Sequence, residues 1–208
     1  MAKTDKINFP LVAILAFSAL LRFFNLGKQS LWVDEYLSYG AFQSTAVAPY
    51  WKKFLYDVHA PFYHLFMNIW SRVSLNEWWT RIPSAVAGVI AVYLLYRWVN
   101  HFMDRKASLM STLLLGINPM HIYYSQEVRF YSFLVLFSLL SLISFERFVT
   151  EPNRKNALLL GGALVLSCLS HFSALIIVLA FFLALVISRR KRWERGRSVS
   201  YTHIRAHE

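Results

Sequence analysis

The stretch RIPSAVAGVIAVYLLYRWVN, residues 81–100, is apolar over most of its length. It is as long as a helix that crosses a bilayer, which needs about 20 mostly apolar residues. Similar runs occur at 8–27, 107–124, 129–149, 157–171 and 173–188. The last two share one apolar run interrupted at SHFS, 170–173. A single tilted helix through that interruption is the alternative. The pattern therefore predicts an all-α, polytopic membrane protein with about six transmembrane helices.

Composition agrees. The chain is 57% hydrophobic and 16% charged, with a mean hydropathy of +0.40. A soluble domain is about 45–50% apolar and about 25% charged. The net charge of +11 could suit a nucleic-acid binder. The basic residues, however, sit between the apolar runs, where membrane topology accounts for them, so no nucleic-acid partner is expected. The single cysteine, Cys168, lies in an apolar run and reads as a small buried hydrophobe. Lys3 and Lys6 before the first run would suit a cleaved signal peptide, but the spans that follow favour a retained anchor.

Basic residues orient the chain. Lys3 and Lys6, Arg105 and Lys106, Arg147, Arg154 and Lys155, and RRKR at 189–192 all fall on one side if the six spans hold. The positive-inside rule makes that side cytoplasmic. A large first loop, about 28–80, then lies outside. It is rich in aromatic residues. At 61–74, Phe62, Leu65, Phe66, Ile69, Trp70 and Val73 form a stripe at helical spacing, opposite Tyr63, His64, Asn68, Ser71 and Arg72. At 49–57, Trp51, Phe54 and Leu55 oppose Lys52 and Lys53. Both are too short to span and read as interfacial helices with the apolar face down, or as a surface that docks on the rest of the protein.

This topology shortens the roll of candidate catalytic groups. Of 11 acidic residues, it leaves Asp34, Glu35, Asp57, Glu77 and Glu127 outside. Asp34, Glu35 and Glu127 lie nearest to span ends, where a carboxylate is costly and usually paired or functional. Capping of the helix that begins at DEYLSYG is the alternative role for Asp34 or Glu35. In NPMHIYYSQEVRFYSF, 118–133, Pro119 disturbs the helix before a short loop holding Gln126, Glu127 and Arg129 among tyrosines. A surface salt bridge within an interfacial tyrosine belt would look the same in isolation. Outer Arg81, Arg129 and His59 could together grip a phosphate, since guanidinium binds phosphate through two parallel hydrogen bonds. Anchoring to headgroups is the alternative for Arg81. His171, at the outer turn of the last helical pair, reads as a turn cap, and joining that phosphate grip is its alternative.

Four stretches in this order, LWVDEYLSYG (31–40), HAPFYHLFMNIW (59–70), RIPSAVAG (81–88) and YYSQEVRFYSF (123–133), resemble the GT-C superfamily of integral membrane glycosyltransferases. The nearest branch is that of the protein O-mannosyltransferases and aminoarabinose transferases. The resemblance covers about 8–188, the N-terminal half of such enzymes. It implies transfer of a sugar from a polyprenyl-phosphate donor to a lipid, glycan or protein acceptor at the non-cytoplasmic face. It also implies that Asp34 is the catalytic base, with Glu35 beside it. Arg81, Arg129 and His59 would meet the donor phosphate. Glu127 would orient the acceptor or hold a divalent cation, and no metal is assigned. Single displacement would invert the anomeric configuration.

Members of that family are longer, with further helices. The ending SVSYTHIRAHE, 198–208, has no membrane character and reads as translated read-through. The expected organisation is a transmembrane module over 1–188 and a basic tail over 189–208, together a fragment of an enzyme. The basic inner loops suggest a prokaryotic inner membrane with the site on its outer, periplasmic side. A transporter subunit is disfavoured because there is no internal repeat and the polar residues cluster at one surface. A non-catalytic lipid-binding module is the other alternative.

Overall fold

The computed structural model describes residues 9–42 and 61–187. Among these every element is helical: α1 (Phe9–Phe23), α2 (Val33–Phe42), α3 (Pro61–Trp70), α4 (Glu77–Phe102), α5 (Arg105–Gly116), α6 (Pro119–Ser125), α7 (Tyr131–Thr150) and α8 (Arg154–Ser170). These lie in a compact unit that ends at Phe172. A second unit begins at Ser173, and its described part belongs to an apolar helix, α9 (Phe172–Ile187). The proposed interfacial helix at 49–57 and the candidate His59 lie outside the described residues.

Two helices are each long and apolar enough to cross a bilayer, α4 and α7. The others are shorter, so the expected six full crossings reduce to two such helices among the described residues. The expected span 107–124 is two helices. Pro119 has no N–H and biases Asn118 away from helical geometry. Asn118 is extended, and its side chain accepts from the His121 N–H to start α6. The apolar run at 157–188 breaks at His171, where α8 ends, and is not one tilted helix.

Side-chain caps set most helix starts. Asn76, Asp104 and Asn153 each accept a hydrogen bond from a first-turn amide of α4, α5 and α8. Helices α4 and α7 run side by side in the same direction. Ser84 Oγ donates to the Arg129 carbonyl near their starts, and His101 pairs with Glu146 near their ends. Helix α8 returns along α7, with Ser141 and Ser167 hydroxyls 3.2 Å apart and His171 stacked on Phe130. Small residues Ala85, Ala87, Gly88 and Ala91 bury one face of α4 and permit close approach of its neighbours. Large apolar side chains face outward on every long helix, Leu20, Ile90 and Leu158 among them. Open apolar faces of this extent fit hydrocarbon, not water.

Helix α3 divides its apolar stripe between the protein and the outside. Its Tyr63, His64 and Ser71 side is buried, whereas Leu65, Ile69 and Val73 face out. Phe62 and Phe66 pack on Phe137 and Phe133 of α7 at ring distances of 5.1 and 5.3 Å. The polar side has partners within the protein, so the apolar remainder is what the surroundings meet. Trp70 locks α3 to α4. Pro83 cannot donate to the Trp79 carbonyl four residues before it, and the Trp70 indole N–H supplies that bond at 3.0 Å. The Trp79 indole returns a bond to the Trp70 carbonyl, with the rings stacked 4.6 Å apart.

Candidate active site

Helix α2 opens with Asp34 and Glu35 in its first turn, where the helix dipole favours negative charge. Successive helical residues point about 100° apart, so the two carboxylates part company. Glu35 turns inward and is 1% exposed. Its Oε1 accepts from Arg81 Nε at 3.2 Å and from the Val128 amide at 2.7 Å. Its Oε2 accepts from Arg81 Nη2 at 2.9 Å and from the Trp32 amide at 3.3 Å. The Trp32 bond is half of a capping box, so the capping alternative falls to Glu35. One carboxylate thus ties the first loop, α4 and the α6–α7 loop together, with its acceptor positions filled.

Arg81 is equally committed. Besides Glu35, its Nη1 donates to the carbonyls of Leu26 at 3.0 Å and Gln29 at 2.7 Å. Four of its five N–H groups are used by described residues.

Asp34 faces the other way. Its side chain is 42% exposed, with Oδ2 3.7 Å from Arg129 Nη2. Arg129 is buried on Phe130 and Tyr131, its guanidinium carbon 5.3 and 5.6 Å from the ring centres. Its Nη1 donates to the Asp34 carbonyl and to Ser38 Oγ, both at 3.3 Å. Among the described residues its Nε has no partner. This buried arginine therefore lies beside an accessible carboxylate.

Glu127 lies in a small cavity of about 140 Å³ that Glu35, Arg81, Trp32, Tyr123 and Gln126 also line. By strict geometry neither of its carboxylate oxygens meets a hydrogen-bond donor among the described residues. Burial and then the Glu35 charge push its carboxyl above the ordinary value, more than the nearby Tyr123 hydroxyl and the two arginines draw it down. Among the described residues no three His, Cys, Asp or Glu side chains converge as metal ligands. The cavity is lined instead by carboxyl, guanidinium, amide and phenol groups suited to a polar ligand.

The structure thus gathers Glu35, Arg81 and Glu127 around one cavity and pairs Asp34 with Arg129 beside it. Two supporting residues, Arg22 and His121, had not been singled out. Arg22, fully buried near the end of α1, donates to Ser18 Oγ at 2.6 Å and to the Gly116 carbonyl at 2.9 Å, and its Nη2 is 2.6 Å from His121 Nδ1. It covers the carbonyls that the broken helix leaves open at the end of α5, where a cation also meets the negative end of the dipole. Since guanidinium only donates, His121 accepts on Nδ1 and carries its proton on Nε2. Gln126 likewise caps α1, donating to the Leu21 and Phe24 carbonyls at 3.0 Å each. The sequence signal for Arg22 was present: it is the sole charge in the first apolar helix.

The sequence profile of the dolichyl-phosphate-mannose-protein mannosyltransferase family matches residues 58–204. The matched segment contains His59, Arg81, Glu127 and Arg129 and begins after Asp34 and Glu35. The Glu35–Arg81 and Asp34–Arg129 pairs bind the unmatched first-loop helix to it. No curated protein and no solved structure matches the chain.

Proposed function

The chain belongs to the dolichyl-phosphate-mannose-protein mannosyltransferase family, a family of membrane glycosyltransferases, and from that premise we propose that it takes its sugar from a polyprenyl-phosphate donor at the non-cytoplasmic face. Asp34 is the general base. It removes the proton of an acceptor hydroxyl on a lipid, glycan or protein as that oxygen attacks the anomeric carbon. The bond from that carbon to the phosphate oxygen breaks as the new one forms, through an oxocarbenium-like transition state. The lipid phosphate leaves with the bonding electrons, and the Arg129 guanidinium meets its charge. One displacement inverts the sugar.

Glu127 orients the acceptor from its cavity. Glu35 and Arg81 hold the loops that carry these groups. His59 belongs to the same proposal as a phosphate contact. The basic residues Arg105, Lys106, Arg154 and Lys155 follow the far ends of α4 and α7, which supports a site on the outer side.

The observation that carries the reading is the accessible Asp34 carboxylate 3.7 Å from the buried Arg129 guanidinium. Asp34→Asn tests it. A positioned base contributes about 10²–10⁴-fold, so transfer from a polyprenyl-phosphate sugar should fall by that factor while thermal unfolding stays unchanged. Transfer within a few-fold of the parent would remove Asp34 from the role of base.

A further inference from the structure

A second cavity, of about 330 Å³, opens between the last turns of α4 and α7. Leu94, Ile143 and Leu159 give it an apolar floor, and Arg97 and Arg147 stand on its two sides. Both arginines are exposed. One carboxylate, Glu146, also lines it, and His101 occupies that group, Nε2 to Oε1, at 2.8 Å. The rim therefore keeps a positive balance. Arg97 is sixteen residues beyond Arg81 on the same helix, about 24 Å at 1.5 Å per residue. That distance is most of a hydrocarbon core of about 30 Å, so this cavity and the candidate active site face opposite leaflets.

We propose that this cavity binds an anionic phospholipid of the leaflet facing away from the candidate active site. Its two guanidinium groups would take the headgroup phosphate, and its apolar floor would take the start of an acyl chain. Three observations select a lipid over a soluble anion. The floor is apolar. Val149 and Leu158, at the same level, point outward as lipid-facing side chains do. Arg154 and Lys155, at the start of α8, add to the positive field at this end of the helices. The phosphate charge complements Arg97 and Arg147, which outnumber the one carboxylate, Glu146, in the lining.

The test compares the full chain in vesicles of phosphatidylcholine alone with vesicles that also contain phosphatidylglycerol, and measures lipid retention by native mass spectrometry and the apparent Tm. Phosphatidylglycerol should be retained preferentially and raise the Tm. Each basic charge near an anionic headgroup is worth about fivefold, so Arg97→Gln with Arg147→Gln should weaken retention about 30-fold. A control that removes equal charge from exposed residues elsewhere, Lys28→Gln with Arg72→Gln, should leave it unchanged. Soluble glycerol phosphate should not raise the Tm. The proposal fails if the parent chain shows no preference for phosphatidylglycerol, or if the Arg97/Arg147 variant keeps it. It also fails if the control loses it equally, or if glycerol phosphate stabilises as well as the lipid does.

Discussion

Replacing Arg81 by methionine strands the Glu35 carboxylate inside the protein. In the parent, both side chains are at most 3% exposed and share two hydrogen bonds. After the change Glu35 keeps only the Val128 and Trp32 amides, and the Leu26 and Gln29 carbonyls lose their donor. Breaking a buried pair by removing one partner costs about 3–5 kcal/mol. For a chain of about 200 residues each kcal/mol is about 2–4 °C, so the apparent Tm in detergent should fall by roughly 6–20 °C. A second substitution separates charge from packing. Glu35→Gln in the Arg81→Met background removes the stranded charge and retains an acceptor for the Val128 amide. It should recover about half of the loss, because the unpaired charge carries much of the penalty. Recovery of nothing would show that the charge is not what costs. A fall worth under about 1 kcal/mol in the single variant would mean that the pair behaves as an exposed one, and the bracing role of Glu35 would be refuted.

Three further changes probe neighbouring contacts. Glu127 holds its proton to higher pH in the folded chain than the ordinary value of 4.5 allows, so stability should fall as pH rises from about 4 through the raised value; melting of Glu127→Gln should lose that fall, while transfer to the acceptor drops. Gly88→Ala places a methyl group against Ser125 Oγ and Arg22 Nε, and should cost about 1–3 kcal/mol in denaturant unfolding. Trp70→Phe removes the donor that serves the Trp79 carbonyl and should cost about 1–3 kcal/mol. Adding Pro83→Ala, whose amide can serve that carbonyl, should make the second loss smaller, as a double-mutant cycle would read.

Much of the helical plan was legible because its signals are local. The run at 81–100 became α4, Glu77–Phe102, and the run at 129–149 became α7, Tyr131–Thr150. Asn76, Asp104, Asn118 and Asn153 mark helix starts through bonds to amides two or three residues on, and such bonds need no distant partner. The chain break at Pro119 is likewise a property of one residue. The family resemblance rested on four short stretches, three of which fall wholly inside the matched segment.

The candidate site was legible as a set of residue types on one surface, and its division of labour was not. Sequence places Asp34 and Glu35 side by side and cannot say which turns inward. Contact with Arg81, 46 residues away, buries Glu35 and leaves Asp34 accessible. The stripe of α3 shows the same limit. Periodicity fixed which residues share a face, but the choice of the inward face depended on aromatic packing against α7 and on partners for Tyr63 and His64. Arg22 is a lone charge in an apolar helix, yet its purpose rests on the Gly116 carbonyl, 94 residues on. Hydropathy, caps and breaks act within a turn or two of helix, so the sequence alone determined the all-helical class and the two long apolar helices. Burial and pairing of charge depend on groups brought together from far along the chain, and only the tertiary structure decided which carboxylate is buried in a pair and which one stays exposed.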